Sequence, residues 1–298
     1  MMASGFRFMR AGLTKRYRER FGVLPIADSQ KNLSSWFSSE LGQRILQQEK
    51  NYLDKLLPEL FGYHLMQMSV LPGESLFSES STSHQFILQP DMENYQRWVQ
   101  AVSVDDSAKK SSILFSEFEQ LPIDNDEIDV ALLHHALDYS QNPQQLLREV
   151  ARVTIPNGHI VLVGFNPFSL LGLSQPFACL LSRSPHWRYH QLRLGRLMDW
   201  FRLLGLELLY CHRGFYGLPS QKYYSPLMEK ISRQLLPIAG GFYVLVIRKN
   251  VTPMTLIKKP WRGRKVLPSW KGVAIPSASH SSRMNPHFQH KKTYYEDN

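Results

Sequence analysis

Two adjacent histidines, His134 and His135, are the first residues of this chain to invite a chemical reading, because paired imidazoles can ligate a metal or move a proton. They end a short apolar run, and neighbours along a strand point to opposite faces. Opposed side chains do not easily share one ion, so no metal centre is expected. Contact of one of them, His135 first, with a bound molecule stands against a purely structural role. Cys179 and Cys211 lack ligand spacing, which excludes a cysteine metal site and a disulfide framework. Both read as buried, reduced thiols. Glu149 and Arg152, three apart on a helical pattern, read as a structural ion pair worth roughly 0.2–0.5 kcal/mol. Asp138 reads as a cap for the helix that Asn142 and Pro143 begin.

These residues sit in a legible frame. Residues 128–133 are a short apolar run, a buried strand; residues 143–153 have helical periodicity; Pro156, Asn157 and Gly158 form a turn; and residues 159–164 are a second buried strand. Strand, helix, turn and strand make a parallel crossover unit. Upstream, Ser34 or Ser35 is expected to cap an amphipathic helix that Pro58 ends. Strands follow at residues 63–71, 84–88 and 112–115, with a helical or irregular piece at 92–99. Downstream, residues 166–188 are an insertion, residues 190–204 a helix stopped by Gly205, and residues 206–210 and 241–248 a last pair of strands. No internal repeat is visible.

The match of Leu121, Pro122, Asp129, Val130, His135, Leu137, Asp138, Pro143, Leu147, Glu149, Arg152, Val153, Pro156 and Gly158 resembles the C-terminal core of class I S-adenosylmethionine-dependent methyltransferases. The likeness is to a type 11-like bacterial sub-branch, across about residues 35–257. It implies an α/β, Rossmann-like fold: a mainly parallel seven-stranded sheet with helices on both faces and an antiparallel C-terminal strand pair. It also implies S-adenosylmethionine as cofactor, bound at the C-terminal ends of the strands.

Carried onto this chain, the resemblance places Gln67 and Ser69 beside the amino-acid half of the cofactor. Asp91 would accept the ribose hydroxyls, the alternative being a turn-capping aspartate after Pro90. Glu117 would take the adenine amino group, or be a surface acid, and the Phe118 amide would face a ring nitrogen. Leu133 and His135 would line the crevice. Asn166 and Ser169 lie where an acceptor would bind, the alternative for Asn-Pro being a turn. The first loop departs from the family pattern. Where several glycines normally let backbone approach the cofactor, this chain has Gln67 to Glu74 with Gly73 alone and Pro72, which lacks an amide donor.

Composition sets limits on partners. The net charge of +10 is concentrated at the ends: residues 251–298 carry nine Lys and Arg against Glu296 and Asp297, and residues 1–20 carry six against Glu19. The C-terminal aromatics Trp261, Trp270, Phe288, Tyr294 and Tyr295 stand among these cations, a mixture that suits single-stranded nucleic acid as well as a solvated tail. We therefore divide the chain into a basic segment, residues 1–33, a methyltransferase-like domain, 34–257, and a disordered basic tail, 258–298. No apolar run approaches the roughly 20 residues that span a bilayer, and no signal-peptide pattern opens the chain, so a cytoplasmic protein is expected. Methyl transfer asks for placement and water exclusion rather than a nucleophilic triad. The expected function is methyl transfer to a small-molecule or RNA acceptor. The alternative is a catalytically degenerate methyltransferase-like binding or scaffolding protein.

Overall fold

The computed structural model describes residues 23–101, 112–181, 188–217, 234 and 236–250. These belong to one compact unit, Met1–Pro253; a second, Met254–Asn298, lies outside the described residues, as do the basic tail, its aromatics and the basic first twenty residues. In chain order the elements are α1 (Ile26–Phe37), α2 (Glu40–Leu56), a 3₁₀ turn (Leu57–Glu59), β1 (His64–Ser69), β2 (His84–Gln89), α3 (Met92–Ala101), β3 (Ser112–Phe115) and β4 (Ile128–His134). There follow α4 (Ala136–Tyr139), α5 (Pro143–Val153), β5 (Thr154–Phe165), α6 (Leu170–Leu181), α7 (Leu194–Leu203), β6 (Leu206–Gly214) and β7 (Phe242–Lys249).

The seven strands are ordered β3-β2-β1-β4-β5-β7-β6, with β7 antiparallel to both of its neighbours and the other pairings parallel. Strand periodicity builds two cores at once, because successive side chains leave opposite faces. Met66 and Met68, Ala131 and Leu133, Ile160 and Leu162, and Leu245 and Ile247 pack on one face, against Leu146, Leu147 and Val150 of α5 and Leu197 and Phe201 of α7. Leu65, Val130 and Leu132, Val161 and Val163, and Val244 and Val246 pack on the other, against Ile45, Leu53 and Leu56 of α2. Each of these side chains larger than alanine contributes about 1.5–3 kcal/mol through burial, which is why near-continuous apolar strands sit at the centre.

Most of the shared motif residues serve this scaffold. Asp129 accepts the Tyr63 and His64 amides at 3.0 and 2.9 Å, starting β1. Arg152 pairs with Glu149 at 2.8 Å, as expected, and also donates to the Leu121 and Ile123 carbonyls at 3.0 and 2.9 Å, tying the segment before β4 to α5.

Several boundaries differ from expectation. The first amphipathic stretch is two helices, with Trp36 and Phe37 closing α1 and Ser39, not Ser34 or Ser35, capping α2 through its Oγ at 3.2 Å from the Gly42 amide. The sharp corner needs a residue without Cβ at 42, since that atom would lie 2.4 Å from the Trp36 carbonyl oxygen. Helix α1 also crosses the anticipated boundary at residue 33. The Pro156–Gly158 turn is absorbed into β5, where Asn157 takes φ 64° and pairing shifts between Ile128 and Val130. The insertion after β5 carries a helix, α6, and α7 starts only at Leu194. Cys211 is exposed on β6 rather than buried.

Gly42→Ala is expected to cost about 1–3 kcal/mol through the forced shift at the α1–α2 corner. Urea unfolding should show a lower midpoint with an unchanged slope.

Candidate functional site

The sheet order reverses between β1 and β4, where open α/β sheets bind ligands outside the carboxyl ends of their strands. Those ends are level: Ser69 pairs with His134 across β1 and β4, and Gln89 with Phe115 across β2 and β3. Helix α1 lies over them. The Gln30 amide nitrogen donates to the Ser69 carbonyl at 3.3 Å and to Gln89 Oε1 at 3.0 Å, with all three residues buried. Gln30 Oε1 and Gln89 Nε2 are left without a partner, an acceptor and a donor inside the protein. Leu33 and Phe37 extend this cover by packing with Val70, Leu71, Tyr139, Phe165 and Tyr189.

Behind that cover lies a chain of ionisable side chains at most 1% exposed. Glu49, on the apolar stripe of α2, faces both histidines: its Oε2 lies 3.1 Å from His134 Nε2 and its Oε1 3.0 Å from His135 Nε2. The far nitrogens are held too, His134 Nδ1 at 2.9 Å from Ser69 Oγ and His135 Nδ1 at 3.1 Å from Asp138 Oδ2. The same Asp138 oxygen accepts the Phe165 amide at 2.8 Å. Strand alternation does not separate the two imidazoles, because His135 leaves the strand in a left-handed conformation at φ 53°. This corrects the expectation of opposed side chains: one carboxylate oxygen and the two imidazole nitrogens lie within 4.8 Å of one another, which suits a metal ion. Asp138 is likewise no cap for α5.

Burial alone would raise the Glu49 carboxyl, but the charge of His135 and hydrogen bonds from both histidines outweigh it and lower the group to about 2. Burial works against a charged His135, yet Glu49 and Asp138 lift it to about 9. His134 is pushed down by burial, against its bond to Glu49. Burial raises Asp138 despite its bond to His135.

Beside this cluster a cleft of about 480 Å³ opens at the ends of β2 and β3, lined by Pro25, Ile26 and Ala27, by Pro90, by Glu117 and Phe118, and by Asn142 and Gln145. Of the anticipated site residues, Glu117 and Phe118 line this cleft. Asp91 stands next to it with Oδ1 on the Glu93 amide at 2.9 Å, the capping alternative. The others do not face it. Gln67 is spent on the loop after β1, accepting the Leu76 amide at 2.8 Å and donating to the Glu74 carbonyl. Ser69 Oγ receives the Leu71 amide at 3.0 Å besides meeting His134. Leu133 is core, and His135 belongs to the carboxylate cluster. Asn166 and Ser169 do not present polar atoms to an acceptor. The Asn166 amide donates to the Ile238 and Gly240 carbonyls, its Oδ1 accepts the Phe168 amide, and Ser169 Oγ bonds the Asn166 carbonyl and the Gly172 amide. Glu49 and Gln30 were missed. The signal for Glu49 was available: a carboxylate between Ile45 and Leu53, four residues from each on an apolar stripe.

Comparison with known proteins agrees with this architecture. The sequence model of the "Methyltransferase domain" family matches residues 88–162. The uncharacterized protein YafS of Escherichia coli (strain K12) is 30% identical over 204 residues, covering 68% of this chain and 75% of that protein. The chain is a relative of YafS with the class I methyltransferase fold, and residues 88–162 carry the methyltransferase-domain pattern. Among solved structures of that fold, a Thermotoga maritima S-adenosylmethionine-dependent methyltransferase, described as a possible histamine N-methyltransferase, superposes with a TM-score of 0.54 at 17% identity, covering 74% of this chain and 95% of that one. A chain from the complex between the Haloferax volcanii Trm112 methyltransferase activator and a methyltransferase gives 0.53 at 15% identity, with 74% and 97% covered.

The donor of the matched methyltransferase-domain family fits the residues in one half only. The adenosine half suits the cleft, which the Glu117 carboxylate lines, while the unpartnered Gln89 amide is buried beside Gln30. The methionine half meets a closed loop, because Gln67 and Ser69 are already hydrogen-bonded and α1 covers the strand ends with Gln30, Leu33 and Phe37.

Glu49→Ala leaves the two imidazoles and Asp138 without their central carboxylate, and is expected to cost about 3–5 kcal/mol in unfolding free energy. In the metal-free protein the lowered Glu49 contributes stability that is complete above 4.5 and lost as pH falls towards about 2. The raised His135 contributes stability that is complete below 6.5 and lost as pH rises through about 9. Urea midpoints measured across this range should fall at both ends in the wild type, and much less in the variant.

Proposed function

We propose that this chain transfers a methyl group from S-adenosylmethionine to an anionic acceptor, RNA being favoured by the charge at the two ends of the sequence. The observation that carries the reading is the cleft at the carboxyl ends of β2 and β3, lined by Glu117 and Phe118, the residues that the resemblance sets at the family's adenine loop. Exocyclic amino hydrogens of adenine would be accepted by the Glu117 carboxylate, and a ribose hydroxyl is suited to the buried Gln89 Nε2, which has a proton and no acceptor. Admitting the rest of the donor requires Gln30 to release Ser69 and Gln89, so α1 must shift before the site is complete. What the chain then supplies is a dry, fixed surface beside the strand ends.

A second reading rests on its own observation. The loop after β1 is closed by its own hydrogen bonds, which favours a methyltransferase-like protein that binds an adenosine-type ligand and has lost turnover.

Calorimetry with S-adenosylhomocysteine separates the two. The first reading expects saturable binding, weakened about tenfold by Glu117→Ala as one hydrogen bond to a charged group is lost. It also expects tighter binding in Gln30→Ala, which no longer holds α1 down. Heat with adenosine alone supports the second reading, and no heat from S-adenosylhomocysteine at about millimolar concentration rules out the first.

The acceptor is tested with RNA. Removing residues 258–298 is expected to lower affinity for single-stranded RNA and to flatten its dependence on salt, since fewer counterions are released. An unchanged slope would remove the tail from RNA recognition.

A further inference from the structure

Glu49, His134 and His135 have no part in the methyl-transfer reading, and their atoms are arranged for a different task. We propose that these three side chains form a structural zinc site, with the ion held by His134 Nε2, His135 Nε2 and both carboxylate oxygens of Glu49. The proposal does not rest on the methyltransferase reading.

Each oxygen of Glu49 faces one imidazole, at 3.1 Å from His134 Nε2 and 3.0 Å from His135 Nε2. Zinc holds nitrogen and oxygen ligands at about 2.0–2.2 Å, so neighbouring ligands of a tetrahedral ion are about 3.4 Å apart, and the two rings need to draw back from Glu49 by a few tenths of an ångström to admit one. Two imidazoles and a carboxylate are a donor set that zinc accepts. The contacts behind the ligands have the form that fixes ring orientation in zinc proteins. His135 Nδ1 meets the Asp138 carboxylate at 3.1 Å and His134 Nδ1 meets the Ser69 hydroxyl at 2.9 Å. The left-handed backbone at His135 is what turns its ring onto Glu49.

Charge favours the ion as well. Held by hydrogen bonds alone, the His135 ring sits between two acids, Glu49 and Asp138, and Asp138 Oδ1 is left without a partner. When a zinc ion binds, the Nε2 proton of His135 leaves to solvent and His134 remains neutral as the Nδ1–H tautomer, its Ser69 partner now accepting. Two carboxylates and one dication then sum to zero, which removes the cost of burying a net charge. The three side chains have no solvent exposure, the mark of a closed structural site rather than a catalytic one with an open position. Zinc would enter as the chain folds and tie α2 to the end of β4.

The test uses the full chain, produced with zinc in the medium and desalted before elemental analysis. About one zinc ion per folded chain is expected, falling below about a tenth in Glu49→Gln, with a chelator lowering the wild-type melting temperature. X-ray absorption at the zinc edge should show two imidazole ligands at about 2.0–2.1 Å, a reading on the wild type that decides the matter even where the variant fails to fold. A folded wild type with less than about a tenth of an equivalent of zinc overturns the proposal and leaves a hydrogen-bonded network. Zinc retained by folded Glu49→Gln, or an absorption edge without two imidazoles, overturns the assignment to this trio.

Discussion

The position of one carboxylate governs the upper end of this molecule. Glu49 occupies a slot on the apolar stripe of α2 that a leucine would otherwise fill, and it is tolerated there because two imidazoles meet it from the end of β4. Desolvating a carboxylate without such partners would cost several kcal/mol, so the helix has a single acceptable rotation and height on the sheet. Everything N-terminal inherits that setting. The tight corner at Gly42 joins α2 to α1, and α1 delivers Gln30 to Ser69 and Gln89. The cover over the strand ends is therefore a consequence of a buried charge more than ten ångströms of helix away, at about 1.5 Å per residue.

The result is a methyltransferase fold whose ligand-binding edge has been turned partly inward. Elsewhere in an open α/β sheet the loops at the strand ends leave amides and side chains available to a ligand. Here the loop after β1 uses its own side chains to bond itself: Gln67 closes on Glu74 and Leu76, and Ser69 closes on Leu71 and His134. Polar capacity survives where the sheet meets Glu117, and in the two amide atoms that Gln30 and Gln89 leave unmatched. One half of the site is thus organised for recognition and the other for rigidity.

The sheet was legible because its pattern is local. Strands at 63–71, 84–88, 112–115 and 128–133 announce themselves by apolar runs between turn residues, and each is present within a few positions. The His134–His135 pair was misread for an equally local reason. Strand alternation stops at His134, and nothing in the sequence marks His135 for a left-handed conformation. The cap falls on Ser39 rather than on Ser34 or Ser35 because four serines stand between residues 34 and 39 and only the corner geometry at Gly42 selects among them. Asn166 and Ser169 sit at the right end of the sheet, but the Asn166 amide bonds Ile238 and Gly240, some seventy residues downstream, which no spacing rule reveals, and Ser169 is spent locally on Asn166 and Gly172.

His135 carries two demands that are usually separate. Its backbone needs a residue that accepts positive φ, which asparagine, aspartate and glycine do at little cost. Its side chain must also reach two carboxylates at once, one from each nitrogen of the ring. Asparagine would satisfy the first demand and leave Glu49 and Asp138 facing one another across a void; glycine would widen it. Evolutionary drift at this position is thereby coupled to positions 49 and 138, so the three are expected to change together among relatives or not at all.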